Sequence, residues 1–296
     1  WGLTTPSGTL SGVDNRAYYL ASDVINNAYV FTNSDKGRTY NISTKVEKTF
    51  DNGLYVNMAY SYLNSKDVNS IEAEITGDAF AFNPVVGNAN NDVLSHSRYG
   101  DTHRVIGLAS KKFNFFGDNS PTTITTFFEY ARGGRFNYTY GGDLNGDGSG
   151  VNDLLYVPTQ SEINSMQFSG AGQGAAFNSY IAQDDYLSGR RGQYVERYGA
   201  LAPWRGRWDV KILQDFKVSK DNVLQLSLDI LNIGNLISSD WGLVEQPRNL
   251  QPIGVSVDPG TLTPTYTFDP NLTDTFTVSS NLLSRWQAQF GIRYIF

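Results

Sequence analysis

Trp286, Ala288, Phe290, Ile292, Tyr294 and Phe296 recur at every second position near the end of the chain, with Arg285, Gln287, Gln289 and Arg293 between them. Side chains alternate across an extended strand, so this spacing sorts apolar groups onto one face and arginines and glutamines onto the other. Two surroundings suit such a strand. One is lipid against the apolar face and a wet lumen against the polar face, as in the closing strand of an outer-membrane β-barrel that ends on an aromatic residue. The other is the last strand of a soluble antiparallel sheet.

The same alternation recurs upstream. From Arg38 to Phe50, Tyr40, Ile42, Thr44 and Val46 alternate with Asn41, Ser43, Lys45 and Glu47. Asp51-Asn52-Gly53 then reads as a hairpin turn, because Asn-Gly accepts positive φ at little cost. Gly53 to Lys66 returns with Leu54, Val56, Met58, Tyr60 and Tyr62 on one face. Further strands are expected over Thr102–Phe116, Thr122–Tyr140, Arg207–Ser219 and Val223–Asn235, with turns at Gly117–Pro121 and Lys220–Asn222. Long polar loops separate the hairpins, at about 67–101, 141–204 and 236–282. Short turns at one end and long loops at the other match the build of an outer-membrane barrel, and a dozen residues per strand is enough to cross a bilayer at a tilt. Roughly seven such strands are legible, whereas bacterial barrels use an even number of at least ~8. Either Ala17–Thr32 supplies an eighth, or strands are missing and Trp1 lies outside the cell. The second option makes residues 1–296 the C-terminal part of a larger all-β antiparallel transmembrane β-barrel.

Composition narrows the function classes. A net charge of −6 and a pI near 5.0 argue against nucleic acid as a partner. With no cysteine, disulfides, thiolate metal sites and cysteine nucleophiles are excluded. A mean hydropathy of −0.35 would pass for a soluble protein, yet barrel strands need only every second residue apolar. Tyrosine and phenylalanine, at 18 and 17 residues, suit the aromatic belts of a barrel. No apolar h-region follows Trp1, so an exported protein would be represented by its mature form or by a piece of something longer.

Several segments, in order and spacing, resemble the C-terminal part of Oar-like TonB-dependent receptors of Bacteroidota, which carry a carboxypeptidase-regulatory-like domain. They are Asn33–Phe50, Asp51–Asn69, Gly142–Pro158 (GDLNGDGSGVNDLLYVP), Asp184–Trp204 (DDYLSGRRGQYVERYGALAPW), Leu224–Trp241 (LQLSLDILNIGNLISSDW) and the terminal SRWQAQFGIRYIF. The resemblance implies a roughly 22-stranded barrel around an N-terminal plug. It also implies a TonB box and the import of a bulky nutrient. The plug, the TonB box and most of the barrel would lie in parts not in this chain.

Two constellations stand out. Asp143, Asn145 and Asp147, followed by Gly148, place oxygen ligands at positions one, three and five with glycine at six, as at the start of a calcium (Ca2+) loop. The closing carboxylate, Asp153, falls at position eleven and is shorter than the usual glutamate. An Asp/Asn/Gly turn held by its own hydrogen bonds reads equally well. Asp184–Trp204 gathers Arg190, Arg191, Tyr194, Arg197 and Trp204 with Asp184, Asp185 and Glu196. It is either a contact loop for ligand, surface lipoprotein or plug, or a loop folded on itself by Arg–carboxylate pairs.

Nothing marks an enzyme. His96 and His103 are the only histidines, and no nucleophile elbow, Walker loop or dinucleotide glycine pattern appears. The charged set Lys45, Glu47, Asp209, Lys211, Asp215 and Asp229 is expected to line a hydrated lumen. The expectation is therefore an outer-membrane receptor importing an unidentified nutrient. The alternatives are a non-transporting barrel serving as subunit or scaffold of an envelope assembly or secretion complex, and a soluble β-rich adhesin.

Overall fold

The computed structural model describes residues 5–20 and 32–296. Strands hold 42% of the residues and helices 12%, so this is a mainly β protein built on antiparallel pairing. Among the described residues no helix is long and apolar enough to cross a membrane. Seven long strands form one sheet: β1 (Arg38–Thr49), β2 (Tyr55–Asp67), β3 (His103–Phe113), β4 (Thr122–Arg132), β5 (Trp204–Lys217), β6 (Val223–Leu231) and β7 (Gln287–Ile295). Each pairs antiparallel with the next in chain order, and Ser95–His96 adds a short extra rung beside the end of β2.

Connections alternate in length. Residues 50–54, 114–121 and 218–222 make tight turns at one end of the sheet, and 68–102, 133–203 and 232–286 make long crossings at the other. The first turn works as its sequence requires: Gly53 has φ 78°, and the Asn52 side chain accepts the Leu54 N–H at 3.1 Å. Two strands are shorter than their pattern. After β4 the chain leaves the sheet at Gly133-Gly134, and Arg135–Phe136 pairs instead with Ala200–Leu201. After β6, Asn232 turns left-handed (φ 54°) into the short helix Ile233–Ile237, held by its N–H on Asp209 Oδ1 at 2.8 Å.

The register puts the apolar sets of all seven strands on one face. Ile42 lies opposite Tyr62, Met58 opposite Gly107, Phe128 opposite Trp208, Ile212 opposite Leu228, and Leu226 opposite Ile292. The other face carries all the carboxylates of the long strands, most of them matched: Glu47 with Lys45, Glu129 with Arg104, Asp209 with Arg207, and Asp229 with Lys211. Arg38, Lys48, Lys66, Lys111 and Arg132 share the apolar face near the strand ends. The sheet does not close. β1 and β7 are its edges, each paired on one side only among the described residues. Ala17–Tyr18 pairs with Gly8–Thr9 rather than joining this sheet, while residues 21–31, the rest of the expected eighth strand, and Trp1 lie outside the described residues.

The hydrophobic core is not in the sheet. It lies in the three long crossings and the arm 5–20, which fold together into one body beyond the strand ends. Phe136, Tyr138, Tyr140, Leu155, Phe177, Ile181, Leu187, Ile253, Tyr266 and Phe268 are its buried centre, and Leu10 joins it from the arm. Helix Gln173–Gln183 supplies three of these contacts through Phe177, Tyr180 and Ile181. Stretches that read as polar loops are thus the best-packed part of the molecule.

Candidate site in the loop body

At the base of this body the arm inserts a charged pair. Arg16 clasps Asp14 with Nε and Nη2 at 3.0 and 2.8 Å and reaches Asp153 Oδ1 with Nη1 at 2.9 Å. Asp14 also accepts the hydroxyls of Tyr140 (3.1 Å) and Tyr194 (2.9 Å), whose rings flank the guanidinium. All three charged side chains are buried. Burial works against the arginine's charge, but Asp14 and Asp153 outweigh it and hold the Arg16 pKa above its ordinary value. Burial, with Asp147 and Asp143 adding to it, pushes the Asp153 carboxyl up to about 7 against the pull of Arg16. The Tyr140 hydroxyl is raised well above its usual range by burial and by Asp14.

The Asp143–Asp153 turn packs directly against this pair. Asp143 Oδ1 accepts the N–H groups of Gly146 (2.7 Å) and Asp147 (3.1 Å), and Oδ2 accepts Gly148 N–H at 2.9 Å. Asn145 Oδ1 accepts Asp147 N–H at 2.9 Å, and Asp147 Oδ1 accepts Ser149 N–H at 2.9 Å. Each side chain thus caps a backbone donor a few residues downstream, which is why this residue order makes so tight a turn. Asp153 closes the turn differently from its sequence reading. Its Oδ2 accepts Leu144 and Asn145 N–H at 2.7 and 3.3 Å, and its Oδ1 goes to Arg16. Among the described residues no three Asp, Glu, His or Cys side chains gather as a metal group.

Gly142, which leads into the turn, has φ 132°, and a Cβ there would sit 2.3 Å from Val255 O. Gly142→Ala is therefore strained twice over and is expected to cost about 1–3 kcal/mol or more, read as a lower thermal midpoint.

The Asp184–Trp204 set is taken up by internal stitching. Arg190 pairs with Glu196 at 2.9 Å and lies over the Tyr186 ring. Arg191 donates to Pro158 O and Asn178 Oδ1 at 3.0 and 2.8 Å. Tyr194 is held by Asp14, as above. Arg197 is buried and joins loops far apart in sequence, donating to Val68 O, Asp67, Asn83 Oδ1 and Val93 O. Arg197→Ala leaves the buried Asn83 and the half-buried Asp67 and Val68 without their donor, so a loss of about 1.5–3 kcal/mol is expected. Lysine should recover little of it, because it lacks the forked donors. Thermal melts of the three proteins check this.

Trp204 stands apart from the others. It begins β5, stacks on Tyr130 at 4.9 Å, and borders a cleft of about 610 Å³ with Tyr186, Phe136, Asp185 and Arg132. Sequence reasoning missed Asp14 and Arg16, and gave Asp184 only as one carboxylate of its loop. Asp184 accepts Tyr138 and Thr275 hydroxyls, both at 2.6 Å, while capping the helix Asp185–Ser188. No protein-family profile, curated protein or solved structure matches the chain.

Proposed function

We propose that this chain is the C-terminal wall and loop body of an Oar-like TonB-dependent receptor in the outer membrane, importing a bulky nutrient through a plugged, roughly 22-stranded barrel. The observation that carries the reading is the bare apolar face of the sheet. Phe290, Ile292, Val46 and Ile42 are 80, 79, 70 and 67% exposed at mid-strand, on strands of 9 and 12 residues. Water would penalise so large a contiguous apolar surface, whereas lipid would cover it. Aromatic residues band both ends of that face. Tyr60, Tyr62, Tyr130 and Trp204 lie toward the long crossings, and Phe113, Phe216 and Tyr294 toward the tight turns. The free edges of β1 and β7 would pair with barrel strands outside this chain. In this reading the matched charges of the opposite face line the lumen, and the loop body faces outward.

The interlocking of all three crossings into one cored body favours a second reading of the same wall, a non-transporting subunit or scaffold of an envelope complex. Intact mass of the polypeptide from detergent-solubilised outer membranes tests the first reading. A folded, heat-modifiable species several-fold heavier than 32.8 kDa is expected. Recovery in the aqueous phase without detergent overturns the membrane assignment. Loss of TonB dependence in a growth assay, with the wall intact, favours the scaffold.

A further inference from the structure

The turn that begins at Asp143 carries a charge that its neighbours leave unbalanced. Asp147 is 6% exposed, and its hydrogen-bond donors are neutral: Ser149 N–H, Asn145 Nδ2 at 3.3 Å and Asn152 Nδ2 at 2.9 Å. Neither Asp147 nor Asp143 takes part in an ion pair among the described residues, since Arg16 is engaged by Asp14 and Asp153. A carboxylate taken out of water without a counter-charge is costly, so a cation is the expected partner.

A second observation, independent of the turn, points to the same ligand. Asn152 is completely buried, and its Oδ1 has no hydrogen-bond partner. Its amide lies against Asp147 Oδ2. The two ends of an amide are close in size, and a half-turn exchanges them. Turned over, Asn152 sets its oxygen against the Asp147 carboxylate, an arrangement that only a cation between them makes favourable. Asn145 Nδ2 is stretched in the same place, 3.2 Å from Gly87 O and 3.3 Å from Asp147 Oδ2, at the long limit of such bonds. Carboxylate, amide and main-chain oxygens thus lie close together around Asp147.

We infer that the Asp143–Asn152 turn binds a calcium ion, with Asp147 as its central carboxylate and Asn152 as an amide-oxygen ligand. Asp143 and Gly87 O stand beside them as further oxygen donors. Asp153, the closing ligand expected from the sequence, is replaced by its neighbour Asn152, because the Arg16 guanidinium already answers the Asp153 charge and would repel a cation. Neutral oxygens of irregular placement suit calcium, which accepts 6–8 oxygen ligands in flexible geometry. Magnesium demands a near-ideal octahedron, and softer metals prefer nitrogen or sulfur.

The ion would brace a three-way junction. Tyr19 N–H of the arm donates to Asn145 O at 2.7 Å, and Ser149 Oγ donates to Ala81 O at 2.5 Å, so the arm and the first crossing both lean on this turn of the second. Calcium is therefore expected to stabilise the loop body whether or not the wall belongs to a transporter.

The test uses the full protein in detergent, stripped with EDTA and titrated with calcium chloride. One calcium per chain is expected, with a Kd of about 10⁻³ M or tighter. The thermal midpoint of the loop body should rise by about 3–6 °C at calcium ten-fold above Kd. Asp147→Asn should abolish both effects, whereas Asp258→Asn, on a different loop, should leave them unchanged. Asn152→Asp decides the role of Asn152. If its oxygen is a ligand, the added carboxylate keeps or tightens calcium binding. If the residue merely donates Nδ2 to Asp147, two carboxylates collide and binding weakens, which overturns the assignment. Should either variant fail to fold, the native protein still decides: fewer than one calcium per chain, or no midpoint shift at millimolar calcium, refutes the site.

Discussion

Phe290→Arg and Ile292→Arg are each expected to destabilise the protein in lipid vesicles by about 2–4 kcal/mol, the cost of an arginine at the bilayer midplane on the outside of a barrel. Both residues lie at the middle of β7, more than three-quarters exposed. In water an exposed position tolerates such a change within about 0.5 kcal/mol. The size of the effect therefore reports the solvent on that face. Gln289→Arg supplies the control, since Gln289 lies on the opposite face across from Asp229 and should change stability little in either medium. Urea titration of folded protein in vesicles, followed by heat-modifiable mobility, measures all three. Equal small effects would mean that the apolar face meets another protein surface or water, and the membrane assignment would fall.

Arg16→Met is expected to cost about 3–5 kcal/mol, because Asp14 and Asp153 would stay buried with no cation between them. The loss should appear in the loop body and not in the sheet. Limited proteolysis should cut within 133–203 and 232–286, while circular dichroism retains the strand signal. Replacing all three members together, Asp14→Asn, Arg16→Met and Asp153→Asn, should recover much of that stability. A neutral group needs only hydrogen bonds to be buried, and the amide put in place of the Asp14 carboxylate would keep both tyrosines, its oxygen accepting from one hydroxyl and its NH2 donating to the other. A single variant no less stable than the native protein would show that the arm adds nothing to the packing of the body.

The sheet was legible because period-two alternation is a local signal. Ile42, Tyr60, Phe128, Ile212 and Phe290 announce their face within a few residues of sequence, and Asn52-Gly53 announces a turn within two. β4 and β6 ran shorter than their alternation because Gly133 and Asn232 redirect the backbone, and a residue's φ is only weakly encoded by its neighbours. The loop body was illegible for the opposite reason. Tyr138, Phe177, Ile253 and Tyr266 share no period, lie among glycines, serines and asparagines, and meet only in three dimensions. The site divides in the same way. The Asp143–Gly148 turn could be read from its spacing, since each side chain caps a donor two to five residues on. The partner of Asp153 could not, because Arg16 lies 137 residues away. Nor did spacing favour Asn152 over Asp153, since what separates them is that Arg16 already answers the charge of Asp153.

Because the core of the body is assembled from the arm and from crossings that lie between different hairpins, no one crossing can fold it alone. Leu10, Leu155 and Tyr266 are delivered by segments with up to six long strands between them. Closing contacts over such separations is slow and is rewarded only when every contributor has arrived. If the sheet is the membrane wall proposed above, the body would condense last during insertion, after the final hairpin has delivered its crossing to the same side. Its compactness would then serve as a record of completed assembly. A chain stalled with one hairpin uninserted would keep that hairpin's crossing on the inner side and leave the others without their core, and quality control could act on that difference without inspecting the strands.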